Sequence, residues 1–223
     1  MGIRYGKRLY SPAVYGVCGI MDTDCYCTID SPASGIYKEK GSRFLSFALP
    51  VLTEEDIKEY LQQFRKEYDD ARHVCYGYSL GVEKPIRKGS DDGEPAHTAG
   101  TPIINQIRSF QLTNILVIVV RYFGGIKLGT GGLTEAYKEA AKDCLNKSVS
   151  VEKYLSAVLE LRFQPSVQGE IMRLVKDHQG SIRALEYESE VILTVDIRKS
   201  LVAAFSAKKI HGLSITIPSP ENH

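Results

Sequence analysis

A surplus of charge of either sign is missing from this chain. Its 223 residues carry 28 basic and 27 acidic side chains, a formal net charge of +1. A polycation that attracts any polyanion is thereby excluded, and nucleic acid would have to be held by a local patch. Residues 151–223 hold nine charges of each sign, which leaves nineteen basic and eighteen acidic in the first 150, so neither half is a charged tail. Long apolar runs are missing too. The longest, Ile115 to Val120, falls far short of the roughly 20 residues that span a bilayer and suits a buried strand. The first twenty residues are broken by Pro12 and lack the apolar stretch and small-residue cleavage site of a secretory signal. A cytoplasmic protein with no membrane partner is expected. A cysteine framework is also lacking: Cys18, Cys25, Cys27, Cys75 and Cys144 are odd in number and irregularly spaced. Cys25-Tyr26-Cys27 has no second pair to complete a tetrahedral zinc site, so free thiols are expected, with no metal and no other cofactor.

What is present is an ordinary globular composition, 43% hydrophobic and 25% charged, long enough for one large domain or two small ones. Residues 1–33 show no clean period and carry two Ser-Pro steps, which reads as a poorly packed N-terminal arm with Met21 as an alternative start. Residues 34–150 read as a first domain. Phe44, Leu45, Phe47 and Leu49 mark a strand. Thr53 followed by Glu54, Glu55 and Asp56 opens a helix whose apolar residues are Ile57, Tyr60, Leu61, Phe64 and Tyr68. Residues 72–80 alternate as a strand, with Val74, Tyr76 and Tyr78 on one face and His73, Cys75 and Gly77 on the other. Residues 81–101 read as a polar loop, and Thr101-Pro102 as cap and first position of a short helix. Residues 114–123 form a strand apolar on both faces. A glycine-rich loop, Gly124 to Gly132, then leads into a helix with Leu133, Ala136, Tyr137, Ala140, Ala141, Cys144 and Leu145 at helical spacing.

Residues 151–223 read as a second domain of order β-α-β-β-α-β, the ferredoxin-like plan, with Leu159, Leu161, Val175, Leu193 and Phe205 in its core. The whole is α+β.

The chemistry concentrates in residues 77–132, which hold ten of the nineteen glycines. Ser90-Asp91-Asp92-Gly93-Glu94-Pro95, followed by Thr98, puts three carboxylates within four positions. They suit either a cation or acid–base site or a set of backbone caps, and their spacing is not that of a calcium loop. Arg121-Tyr122 through Lys127, Gly129 and Gly131 joins a buried strand to a helix start, a place where N–H groups and cations can hold an anion. It matches neither the P-loop nor the dinucleotide fingerprint. The alternative there is close helix–strand packing. His73 and Cys75 share a strand face without an orienting third group, so a nucleophile pair is the lesser reading.

Ser90–Pro95, Thr98-Ala-Gly100 and Arg121–Leu133, with Ala71-Arg-His73 and Ala136-Tyr137, resemble the IMPACT/YigZ family over residues 35–218. His97 stands where that family commonly has glycine or another small residue. The resemblance implies an N-terminal β-α domain of the ribosomal-protein type, similar to domain IV of elongation factor G. It implies a ferredoxin-like C-terminal domain similar to domain V. Members of the eukaryotic type regulate translation by binding a kinase-activating protein and actin, so a protein partner stays open. For the bacterial type the implied partner is RNA or the ribosome. A non-enzymatic, translation-linked binding protein is therefore expected, with Ser90, Asp91, Asp92, Glu94, Thr98, Arg121, Tyr122, Lys127, Gly129 and Gly131 as its binding residues. The alternative is a peptidase-like hydrolase using Asp91, Asp92 and Glu94. A concave carboxylate site with a raised pKa would favour it.

Overall fold

Ile115-Leu-Val-Ile-Val-Val120 is wholly buried, and that decides the layering of the larger unit. The computed structural model describes residues 24–218. Its contacts group residues 26–153 into one unit, and residues 24–25 with 154–218 into a second.

The first unit contains β1 (Cys25–Ile29), β2 (Ala33–Glu39), β3 (Ser42–Pro50), α1 (Glu54–Glu67), β4 (His73–Leu80), β5 (Ile86–Ser90), α2 (Gly100–Ser109), β6 (Ile115–Tyr122), α3 (Gly129–Lys147) and β7 (Ser150–Tyr154). Five of the strands form an antiparallel sheet ordered β2-β3-β6-β4-β5, and β1 and β7 form a two-stranded ribbon. The central strand β6 sends Leu116, Ile118 and Val120 toward Ile57 and Phe64 of α1. It sends Ile115, Val117 and Val119 toward Ile103 and Ile107 of α2 and Ala136, Tyr137 and Ala140 of α3. A helix-covered sheet of this kind needs an apolar strand with no alternation, as the sequence shows.

α1 starts where a capping box was expected. Thr53 Oγ1 accepts from the Asp56 N–H at 3.0 Å, and Asp56 Oδ2 accepts from the Thr53 N–H at 2.9 Å. α2 corrects the reading of Thr101-Pro102. The helix begins at Gly100, one residue before Thr101, which lies in its first turn. α3 begins at Gly129, so Gly129, Gly131 and Gly132 are helical and the loop is only 123–128. β5 falls inside the expected 81–101 loop.

Residues 1–23, with the expected arm, Cys18 and Met21, lie outside the described residues. The remainder of that arm is well packed, contrary to expectation. Cys25–Ile29 is a strand, Ile29 is fully buried, and the Thr113 N–H donates to the Cys27 carbonyl at 3.0 Å. Its sequence carries only one large aliphatic residue, Ile29, which hid the strand.

The second unit runs β8 (Ser156–Phe163), a 3-10 turn, α4 (Gln168–Asp177), β9 (Ser181–Tyr187), β10 (Val191–Arg198), a second 3-10 turn, α5 (Val202–Ser206) and β11 (Ser214–Thr216). Its antiparallel sheet is ordered β11-β8-β10-β9. Leu159, Leu161, Val175, Leu193 and Phe205 are all buried in one core, as expected. Asp24 joins this unit. Its carboxylate accepts from Arg198 at 2.8 Å and from the Ser200 N–H at 2.7 Å, and its carbonyl accepts from the Leu155 N–H at 2.7 Å.

Candidate functional site

The acidic loop follows edge strand β5, and each of its carboxylates is occupied by a different element. Asp91 serves α2. Its Oδ1 accepts from the N–H groups of Ala99 and Gly100 at 2.9 and 2.8 Å, and its Oδ2 from that of His97 at 2.8 Å. The carboxylate thereby caps a helix whose own N-cap, Ala99, has no side-chain acceptor. Burial works to raise its pKa, but the N–H groups of Gly100, His97 and Ala99 outweigh it and hold Asp91 below the ordinary value. Asp92 serves β4 and α1: its Oδ2 accepts from the Val74 N–H at 2.6 Å, and its Oδ1 pairs with Arg65. Ser90 Oγ accepts from the Asp92 N–H at 3.2 Å, and the Thr98 hydroxyl donates to the Pro95 carbonyl at 2.6 Å. These are the local turn bonds expected of such residues.

Glu94 is buried beneath the loop. Its Oε1 accepts from Arg121 Nη1 at 2.5 Å and from the Tyr137 hydroxyl at 2.8 Å, with His73 Nε2 at 4.0 Å. His73 donates from Nδ1 to the Asp92 carbonyl at 2.7 Å. Cys75 Sγ lies 3.0 Å from the Asp91 carbonyl and 3.3 Å from the Tyr137 hydroxyl. Burial pushes this thiol up to about 12; the Tyr137 hydrogen bond opposes the rise and the charges of Glu94, Asp92 and Asp91 add to it. A thiol held there is not a nucleophile at neutral pH. Burial, then Cys75 and Glu94, also raise Tyr137.

The acidic and glycine-rich segments therefore meet, and they do so through Glu94 and Arg121, while Asp91 is held by loop N–H groups. Arg121 also differs from its expected role. It was read as a cation able to hold an anion, yet it is 7% exposed and neutralised by Glu94. The strand register explains this, because residue 121 is on the same face as Val117 and Val119, toward α2 and α3. Its guanidinium lies 5.5 Å from the Phe44 ring centroid and 5.7 Å from that of Phe123. Tyr122, on the other face, donates to Asp70 at 2.7 Å, with Arg43 over its ring at 5.2 Å. The lowered pKa of Asp91 runs against the hydrolase alternative, and the raised one of Cys75 against the nucleophile pair.

Lys127 is exposed on the loop and has no ion pair among the described residues. The loop is fixed at Gly124. A Cβ there would stand 1.9 Å from the Gly41 carbonyl carbon, and the Gly124 N–H donates to Ser42 Oγ at 3.1 Å. Only glycine permits that backbone approach. The contact brings the β2–β3 turn, with exposed Lys40, beside the loop, with exposed Phe123, Ile126 and Lys127. Sequence reasoning missed Lys40, Arg43 and Phe123. The aromatic directly before a Gly-Gly pair was the available signal for Phe123. A cavity of about 500 Å³, lined by Thr28, Pro50, Val51, Asp56, Tyr60 and Asn114 among others, lies at the Ile115 end of β6, away from this cluster.

His97 has φ +66, in the left-handed region. The small residue common at this place in the resembling family thus fits a backbone requirement rather than a close approach.

The family model described as the Impact N-terminal domain matches residues 40–145, which include both motif segments. The IMPACT family member YvyE of Bacillus subtilis (strain 168) is 33% identical over 165 residues, 74% of this chain and 76% of that protein. The chain belongs to the IMPACT family. A second IMPACT family member, YigZ of Escherichia coli (strain K12), is 33% identical over 180 residues, covering 80% of this chain and 88% of that one. A crystal structure described as that of a hypothetical protein superposes with a TM-score of 0.66 at 30% identity, over 89% of this chain and 99% of the other. That superposition covers mixed α/β elements of both units.

Proposed function

We propose that this IMPACT family member is a non-enzymatic, translation-linked protein of the cytoplasm that binds RNA or the ribosome. Its binding face is the end of the first unit's sheet where the glycine loop abuts the β2–β3 turn. The link to translation is what the family resemblance implies. The observation that carries the binding reading is local charge on a neutral chain. Lys40 and Lys127 are exposed, lack ion pairs among the described residues, and belong to segments in backbone contact at Gly41 and Gly124. Lys38 and Arg43 add positive charge at the same end of the sheet. Such a patch supplies phosphate contacts without a global surplus. Ser90, Asp91, Asp92, Glu94 and Thr98 support the face from beneath instead of touching the ligand, and Tyr122 is anchored to Asp70.

The order β11-β8-β10-β9 within β-α-β-β-α-β supports reading the second unit as ferredoxin-like, similar to domain V of elongation factor G. The first unit is read as the domain IV type. The open face of the second sheet carries Arg162–Glu160 and Arg183–Asp196 pairs, which leave little net charge for phosphate.

The test is co-sedimentation of the full chain with ribosomes and with purified ribosomal RNA across a salt series. Affinity is expected to fall with salt. Lys127→Ala is expected to reduce the slope of log affinity against log salt by about 0.7–0.9, the contribution of one phosphate, without lowering thermal stability. Absence of pelleting at low salt, with peptide or ester hydrolysis that Asp91→Ala abolishes, would overturn this reading.

A further inference from the structure

Phe123 is 49% exposed at the end of β6, and Ile126 beside it on the loop is 57% exposed. The Phe123 ring is not adrift. The Arg121 guanidinium lies 5.7 Å from its centroid, and that guanidinium is buried, bonded to Glu94 and set against Phe44. A cation held behind an aromatic ring fixes its position and leaves its outer surface to solvent. Phe44 in turn packs edge-on against Tyr137 at 5.1 Å, so the support extends into α3. Lys40 precedes Gly41, whose backbone abuts Gly124 next to Phe123, Lys127 lies four residues beyond the ring, and Glu39 is the one acidic residue on the turn and loop. The Cβ positions of Gly125 and Gly129 face open space, which lets another backbone approach the loop.

We propose that this surface binds single-stranded RNA, with an unpaired base stacked on Phe123 and the phosphates on either side of it taken by Lys40 and Lys127. This rests on the RNA-binding reading above and names the form of RNA. Base pairs within a duplex hide their faces against each other, so an exposed, pre-positioned aromatic ring has nothing to stack on there. An unpaired base offers a flat face whatever its identity. The lysines then account for the flanking charge. Two apolar side chains make too small a face for anchoring in a lipid surface, which takes a continuous apolar stripe.

The chain contains no tryptophan, so Phe123→Trp gives the full-length protein a single indole reporter at the stacking position. It is titrated with a short oligoadenylate, with an RNA duplex of the same length, and with vesicles of phosphatidylserine. Saturable quenching by the oligoadenylate is expected, with little by the duplex. The slope of log affinity against log salt is expected near −1.4, about 0.7 for each of two phosphates. Phe123→Ala is expected to weaken oligoadenylate binding roughly 5- to 150-fold, the range for loss of one stacked base, at an unchanged salt slope. Its binding to the duplex should match the parent's. If the parent pellets with ribosomes while the indole is unquenched and Phe123→Ala binds as the parent does, this inference falls and the broader reading stands. If the parent binds neither ribosome nor RNA, both fall. An indole response to vesicles but not to the oligoadenylate assigns the surface to lipid and overturns the inference.

Discussion

Asp91 and Glu94 are three positions apart yet do opposite kinds of work, and substitution separates them. Asp91 is a cap, so Asp91→Ala strands three N–H donors at the head of α2. A loss of about 1–3 kcal/mol is expected, seen as an earlier thermal midpoint, with the salt slope of RNA binding unchanged. Glu94 and Arg121 form a buried pair, 4% and 8% exposed. Arg121→Met alone should cost about 3–5 kcal/mol, because it leaves the Glu94 carboxylate buried without its cation. Arg121→Met with Glu94→Gln should recover much of that loss, since the amide oxygen still accepts from Tyr137. Denaturant midpoints of the two single variants and the double close this cycle. At His97 the expected direction is reversed. His97→Gly relieves a left-handed φ of +66 and should raise stability by up to about 1 kcal/mol, the gain being offset in part by the freedom of glycine in the unfolded chain.

Elements whose signal was written in their own residues were legible in the sequence. β6 is apolar on both faces because helices cover both, and α1 carries its cap and its apolar stripe within one segment. Elements stabilised by distant residues were not. β2 lines α3 with Ala33, Gly35 and Tyr37, and a Cβ at Gly35 would meet the Cys144 nitrogen at 2.8 Å. Helix and strand approach so closely at Gly35 that this inner position has no side chain and Ala33 beside it is small, which weakens the hydrophobic alternation. β5 is an exposed edge strand, Ile86-Arg-Lys-Gly-Ser90, with no buried face to betray it. α2 takes its cap from Asp91, eight residues before Ala99, so local rules placed its start at Thr101. The acidic cluster and Arg121 were likewise singled out correctly, but which carboxylate meets the arginine depends on register and loop path. At this scale Gly124→Ala is the sharpest probe. Its Cβ collides with the Gly41 backbone, so the β2–β3 turn and the glycine loop must separate. Faster hydrogen exchange at the Gly124 amide is expected, with weaker RNA binding even though no cation is removed.

Across the whole chain, acid should act on the second unit through Asp24. Burial works against its ionisation, but the Arg198 side chain and the Ser200 N–H outweigh this and hold its pKa at about 2, below the ordinary 3.8. A carboxyl depressed in the folded state contributes stability above its unfolded pKa and loses it as pH falls through the folded one. Asp24 should therefore contribute about 2 kcal/mol above pH 4, lost progressively toward pH 2. Asp24→Asn should remove that part of the acid dependence in melts taken over this range. A fragment of residues 151–223 keeps the core of Leu159, Leu161, Val175, Leu193 and Phe205 and should fold, but it lacks Asp24. Its midpoint should be lower than that of the same unit in the intact chain.

Arg198 and Ser200 stand 174 and 176 residues along from Asp24. At a synthesis rate of roughly 5–20 residues per second, on the order of ten to thirty seconds pass between making the carboxylate and making its partners. Residues 26–153 need nothing beyond position 153 to complete their sheet, and domains of this size can close well within that interval. The first unit can thus be finished, the end with the glycine loop included, while Asp24 still waits. The clamp on Asp24 closes only once residues 198–200 exist, and a chain released before them has every contact of the first unit and none of that clamp.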